Sequence, residues 1–169
     1  MTGFKEIPAE QLGINPFAAI GSEWMLITAQ KGERVNAMTA SWGGLGRMWN
    51  RNVAFTVIRP QRFTKTLVDG SDTFSLAFFG GGEKETLGYM GSASGWNEDK
   101  IAGSGLTVLH DGKIPYFAEA RAVLLCKKLF AQPYRPESFI AEGLNAEFYP
   151  KSDHHTLYIS EILKVLVRE

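Results

Sequence analysis

Cysteine is almost absent. Cys126 is the only one among 169 residues, so no disulfide forms within the chain and a secreted disulfide scaffold is excluded. Neither sign of charge is in surplus. Lys and Arg total 18, Asp and Glu total 18, and the formal net charge is zero. A general nucleic-acid binder carries a basic excess, so no nucleic-acid partner is expected. No apolar stretch reaches the ~20 residues of a membrane-crossing helix. Residues Met1 to Ile20 lack the basic start and apolar core of a signal peptide, so no membrane partner is expected and the expected compartment is the cytoplasm. What remains, 44% hydrophobic and 21% charged, is ordinary globular composition, and the length suits one domain over 1–169.

Familiar catalytic and nucleotide motifs are missing too. Gly43-Gly44-Leu45-Gly46 and Gly103-Ser104-Gly105 lack the third glycine and the strand-to-helix setting of a dinucleotide fingerprint. Gly91 to Gly95 centres on Ala93, so it is not a nucleophile elbow. There is no Walker loop and no H-E-x-x-H. His154 and His155 are adjacent, and in a strand they point to opposite faces, so they do not share a metal. They read as solvated loop histidines beside Asp153, and His110, next to Asp111-Gly112, reads as a surface residue. Cys126, among Leu124, Leu125 and Leu129, reads as a small buried hydrophobe. No metal is expected, and no catalytic residue is named.

Six segments read as strands: 23–29, 36–41, 52–58, 72–79, 118–130 and 156–167. They are rich in Val, Ile, Phe and Thr, and in 72–79 Phe74, Leu76 and Phe78 fall on one side. Helical segments are shorter: 61–68 with Pro60 at its first position, 83–90 after three glycines, 97–102 with Asn97 as N-cap, and 136–142. Strands with scattered helices predict a mainly β fold, an antiparallel sheet or small barrel, rather than regular β-α-β alternation.

The informative stretch is 36–66. Asn36, Thr39 and Ser41 interleave with Met38, Ala40 and Trp42, and Gly43, Gly44 and Gly46 follow. Such a wall suits a planar heteroaromatic ring, apolar atoms against its face and polar groups at its edge. Then a strand ends at Arg59-Pro60, and Arg62, Thr64, Lys65 and Thr66 gather cations and hydroxyls at a helix start, as a phosphate site does. The same pattern also arises from a glycine-rich loop and a capped helix with solvated charges. Trp42, Trp49 and Trp96, all in glycine-rich loops, are candidates to border a ligand or an interface.

The sequence resembles the flavin reductase-like family of FMN-binding split β-barrels, and especially its flavoredoxin-type branch. Asn36-Ala-Met-Thr-Ala-Ser-Trp42 with its glycines, Arg59-Pro-Gln-Arg-Phe-Thr64, Ser94-Gly95 with Asp99-Lys100, and the segments 120–129, 148–154 and 158–167 carry the likeness. The resemblance implies a six-stranded Greek-key split barrel, a homodimer, and FMN near the subunit interface. It implies Asn36, Met38, Thr39, Ala40 and Ser41 along the ring and ribityl chain, with Trp42 bordering the ring. Arg59, Gln61, Phe63 and Thr64 would line the phosphate and ribityl end. Ser94, Gly95 and Lys100 would lie over the flavin, and Trp96 stands where related sequences often carry a polar or basic residue. The expected activity passes electrons from NAD(P)H through FMN to oxygen, free flavin or a redox partner. The alternatives are an FMN-carrying electron-transfer protein reduced by a protein donor, and a non-redox barrel holding another phosphorylated ligand.

Overall fold

Alternation in 72–79 places Phe74, Leu76 and Phe78 on one face, and all three are buried. The opposite face is buried as well, through Ser75 and Ala77. A strand covered on both sides lies in the middle of a layered structure. The computed structural model describes residues 3–169. Met1 and Thr2, part of the expected 1–169 domain, lie outside the described residues.

In chain order the elements are β1 (Phe4–Ile7), α1 (Pro16–Gly21), β2 (Met25–Lys31), β3 (Arg34–Ala40), β4 (Gly43–Met48), β5 (Arg51–Ile58), α2 (Phe63–Asp69), β6 (Thr73–Phe78), α3 (Lys84–Ser92), α4 (Lys100–Ser104), β7 (Val108–Asp111), β8 (Ile114–Phe117), β9 (Ala122–Pro133), α5 (Leu144–Phe148) and β10 (Thr156–Arg168). One antiparallel sheet runs β3-β2-β6-β9-β10-β5-β4, with β1 on β10, and β7–β8 form a separate hairpin. One core cluster includes Met25, Ile27, Phe74, Leu76, Phe78 and Tyr158. The other, on the opposite sheet face, includes Leu26, Ala77, Leu87, Met90 and Phe117.

The sheet order explains the shape. β3 and β4 stand at opposite ends of the path, yet only Ser41 and Trp42 separate them in the chain. The three residue steps from Ala40 to Gly43 span no more than roughly 11 Å, so the sheet curls until its edges meet. The result is a split barrel with its seam at Ser41-Trp42.

The strand number differs from the expected six: ten are present among the described residues. The extra ones are short or glycine-rich. β10 is 13 residues long, so its first half pairs β5 while its last residues still offer an edge to β1. Gly43–Met48, read as a loop, forms β4 because its glycines admit close approach. A Cβ on Gly43 would lie 2.5 Å from the Phe55 carbonyl oxygen, and its φ of +145° favours glycine.

Three helix boundaries also move. The segment at 61–68 starts at Phe63 rather than at Gln61, because Arg59–Arg62 closes a turn through the Arg62 N–H to the Arg59 carbonyl. The segment at 97–102 starts at Lys100, capped by Asp99, whose Oδ1 accepts from the Ile101 and Ala102 amides. Asn97 belongs to the preceding turn. Only Pro136–Ser138 of 136–142 is helical, as a single 3-10 turn.

Candidate functional site

The seam leaves a cleft. Its first part, a cavity of about 180 Å³, is lined by the end of β3 (Met38, Thr39, Ala40), by Ser41 and Trp42, and by Val57, Arg59, Arg62 and His155. The second part, about 290 Å³, lies between the turn after β5 and the loop after α3. Gln61, Phe63 and Thr64 face Ser92–Gly95 and Lys100 there, and Met38, Arg59 and Arg62 belong to both parts. Neither part alone reaches the roughly 300 Å³ lower bound of small-molecule sites, and joined they do.

Of the expected site residues, all but Asn36 line one part or the other. Asn36 is buried beneath them, and its Nδ2 donates to Thr64 Oγ1 at 2.9 Å. This bond holds β3 to α2. The Thr39 hydroxyl is likewise turned away, donating to the Leu87 carbonyl. A Cβ on Gly91 would sit 3.2 Å from Thr39 Cβ, so the absence of a side chain there lets α3 lie against β3.

The cations differ in their partners. Arg59 Nη1 donates to Asp153 Oδ2 at 2.7 Å and its Nη2 to the Phe148 carbonyl at 3.0 Å. Gln61 Nε2 donates to the same Asp153 oxygen at 2.9 Å. These two donors hold the Asp153 carboxyl below the usual range. Arg62 and Lys100 have no carboxylate partner among the described residues. Arg62 Nη1 donates to the Gly91 carbonyl at 2.7 Å, and Lys100 Nζ to the Met90 carbonyl at 2.7 Å. Lys100 is only 2% exposed. Burial, and then the Arg62 charge, lower its pKa to about 8.

Arg62, read with Lys65 as a cation of a phosphate site at the helix start, lines both parts of the cleft. One functional candidate escaped the reading of the sequence. His155, read as solvated, is 8% exposed. Its Nδ1 lies 2.8 Å from the Tyr149 hydroxyl and its ring 5.2 Å from that of Trp42. No local pattern marked it, because both histidines lie in the irregular segment just before β10, where strand alternation does not apply. Burial, reinforced by Arg59, lowers the His155 pKa to about 4, so the ring is neutral at pH 7.

The sequence profile described as "Flavin reductase like domain" matches residues 17–169. The chain belongs to this family. As a flavin reductase-like chain it has close structural neighbours. An FMN-binding domain of a flavin reductase-like enzyme from Shewanella baltica superposes with a TM-score of 0.71 at 16% identity, covering 98% of this chain and 77% of that one. Flavoredoxin from Methanosarcina acetivorans gives 0.69 at 19% identity, covering 95% and 77%. Flavoredoxin from Desulfovibrio vulgaris gives 0.68 at 22%, covering 94% and 76%. Among curated proteins nothing matches the chain. The flavin reductase-like fold thus puts the seam, the turn after β5 and the loop after α3 around one cleft.

Proposed function

We propose that the chain binds FMN in this cleft and acts as an FMN-dependent oxidoreductase. One observation carries the reading: Arg62 and Lys100 both line the second part of the cleft with only carbonyl partners. Two poorly solvated cations with no carboxylate in contact are the complement of a phosphate. The first part, walled by the Met38–Trp42 segment, takes the ring, and Arg59, Gln61, Thr64, Ser94 and Gly95 border the ribityl and phosphate end. The structural neighbours described as FMN-binding proteins and flavoredoxins support the same ligand.

When bound, FMN would supply the hydride- and electron-transfer chemistry. This chain's part is to bind, orient and exclude water. Arg62 and Lys100 anchor the anionic end. Trp42 and the neutral His155 border the ring's cavity, and the Tyr149 hydroxyl fixes the imidazole orientation. NAD(P)H is the proposed donor, with oxygen, free flavin or a redox protein as acceptor. The likeness to flavoredoxins favours a second reading, in which a protein donor reduces the bound FMN. The proposed assembly is a homodimer, in which the half-exposed Trp49 and the partly exposed Phe130, 6.1 Å apart, meet a second copy.

An anaerobic titration of the FMN-loaded protein with NADH and NADPH tests this. Rapid bleaching of the visible flavin band is expected. A protein that binds FMN but stays yellow leaves the protein-donor reading. A protein that takes up no FMN sinks both.

A further inference from the structure

Trp96 is 60% exposed, so its burial contributes little to the fold. It is nevertheless held on two sides. Its indole Nε1 donates to the Gln61 carbonyl at 3.2 Å, and its ring meets Phe63 edge-on at 4.8 Å. The Arg34 guanidinium also lies against the Phe63 ring, at 4.6 Å. Arg34 Nη2 donates in turn to the Gly95 carbonyl at 2.8 Å. Trp96 and Gly95 belong to the loop after α3. Gln61 and Phe63 belong to the turn after β5. These two segments are the opposing walls of the cavity that holds Arg62 and Lys100. Tryptophan and arginine therefore clasp one wall to the other, outside the anionic end of the cleft.

We propose that Trp96 is a latch that sets how long the phosphate-bearing ligand stays, so that this chain keeps FMN as a resident cofactor instead of releasing it as a substrate. The inference rests on the FMN reading above. A ligand whose phosphate sits between the two walls leaves that end only when they part. Parting them breaks the indole hydrogen bond and the ring contact together. For a half-exposed aromatic pair and a half-exposed neutral hydrogen bond, each is worth a factor of about three, so their joint loss speeds dissociation about tenfold. A flavin without the phosphate gains nothing from the clasp.

The test is the dissociation rate of FMN and of riboflavin, followed by recovery of flavin fluorescence after dilution into a flavin scavenger. Trp96→Ala is expected to release FMN about tenfold faster and to leave riboflavin release unchanged. Trp96→Phe keeps the ring contact and is expected to stay within about threefold of the parent. Because the side chain is exposed, the melting temperature of both variants serves as the folding control. FMN release unchanged in Trp96→Ala overturns the latch, and so does equal acceleration of FMN and riboflavin. If Arg62→Ala loses FMN affinity while Trp96→Ala releases it at the parental rate, the latch alone fails. A parent chain that binds no FMN overturns the latch and the cofactor reading together.

Discussion

Arg59 and Arg62 stand on one turn, and their surroundings give them different work. Arg59 is neutralised by Asp153 and lies 5.0 Å from the centroid of the Tyr149 ring. It ties the segment 148–155 to β5. Arg62 has no such partner. Arg62→Ala is therefore expected to weaken FMN binding about ten- to a hundredfold, the worth of one charge-assisted contact. Arg59→Ala is expected to cost less affinity and more stability, and a fluorescence titration paired with thermal melts separates the two. The sequence identified the cations of this turn but not their counter-charges, because Asp153 lies far along the chain. His155 has a consequence in pH. The unfolded chain takes up a proton near 6.5, whereas the folded one resists it down to about 4. The contribution is whole above pH 6.5 and drains away as pH falls toward 4, by up to about 3 kcal/mol. Urea melts at pH 7.5 and 4.5 check this, and His155→Gln is expected to flatten the slope within that window.

At the level of elements, glycine decides whether the loop after α3 meets the turn after β5. A Cβ on Gly95 would lie 2.6 Å from Phe63 Cδ1 and 2.8 Å from Asn36 Nδ2. Phe63 is clasped between Arg34 and Trp96, and Asn36 is buried on Thr64, so neither moves aside without loss. Gly95→Ala is expected to destabilise the fold by roughly 1–3 kcal/mol. Gly88, inside α3, has no atom within 4 Å of where its Cβ would be. Gly88→Ala is expected to change stability with the opposite sign, by about 0.5–1 kcal/mol, since it only removes backbone freedom from the unfolded chain. Thermal melts of the pair check both signs. The long strands were legible because their alternation or β-branched content is a local signal. β4 was not, because Gly43–Met48 has no side-chain pattern and owes its ladder to Phe55 and the rest of β5. The α4 boundary was missed by three residues because Asp99 competes with Asn97 as a cap, and only the turn onto Ser94 decides between them.

The whole molecule is a curled sheet whose two ends are consecutive in the chain, and that closure was legible only through resemblance. No local pattern reports that β3 and β4 sit at opposite ends of a seven-strand path. Closure also leaves an outer face. Phe130, Ile159, Phe55 and Gly44 form one row across β9, β10, β5 and β4. At the tip of the β4–β5 hairpin, Trp49 and Asn50 have φ values of +51° and +58°. Such two-residue turns favour Asn-Gly, and a bulky residue in the left-handed region costs about 1–2 kcal/mol. The turn bears that cost, and its outcome is Trp49 set against Phe130, 54% and 39% exposed respectively. Strain that places apolar rings in solvent makes sense when a second copy covers them. Light scattering at micromolar concentration is expected to give the mass of a dimer. Trp49→Glu with Phe130→Glu is expected to halve that mass, while unfolding of the monomer shifts little because both side chains are already half in water. A parent chain that runs as a monomer would remove the reason for the strained turn and sink the homodimer reading.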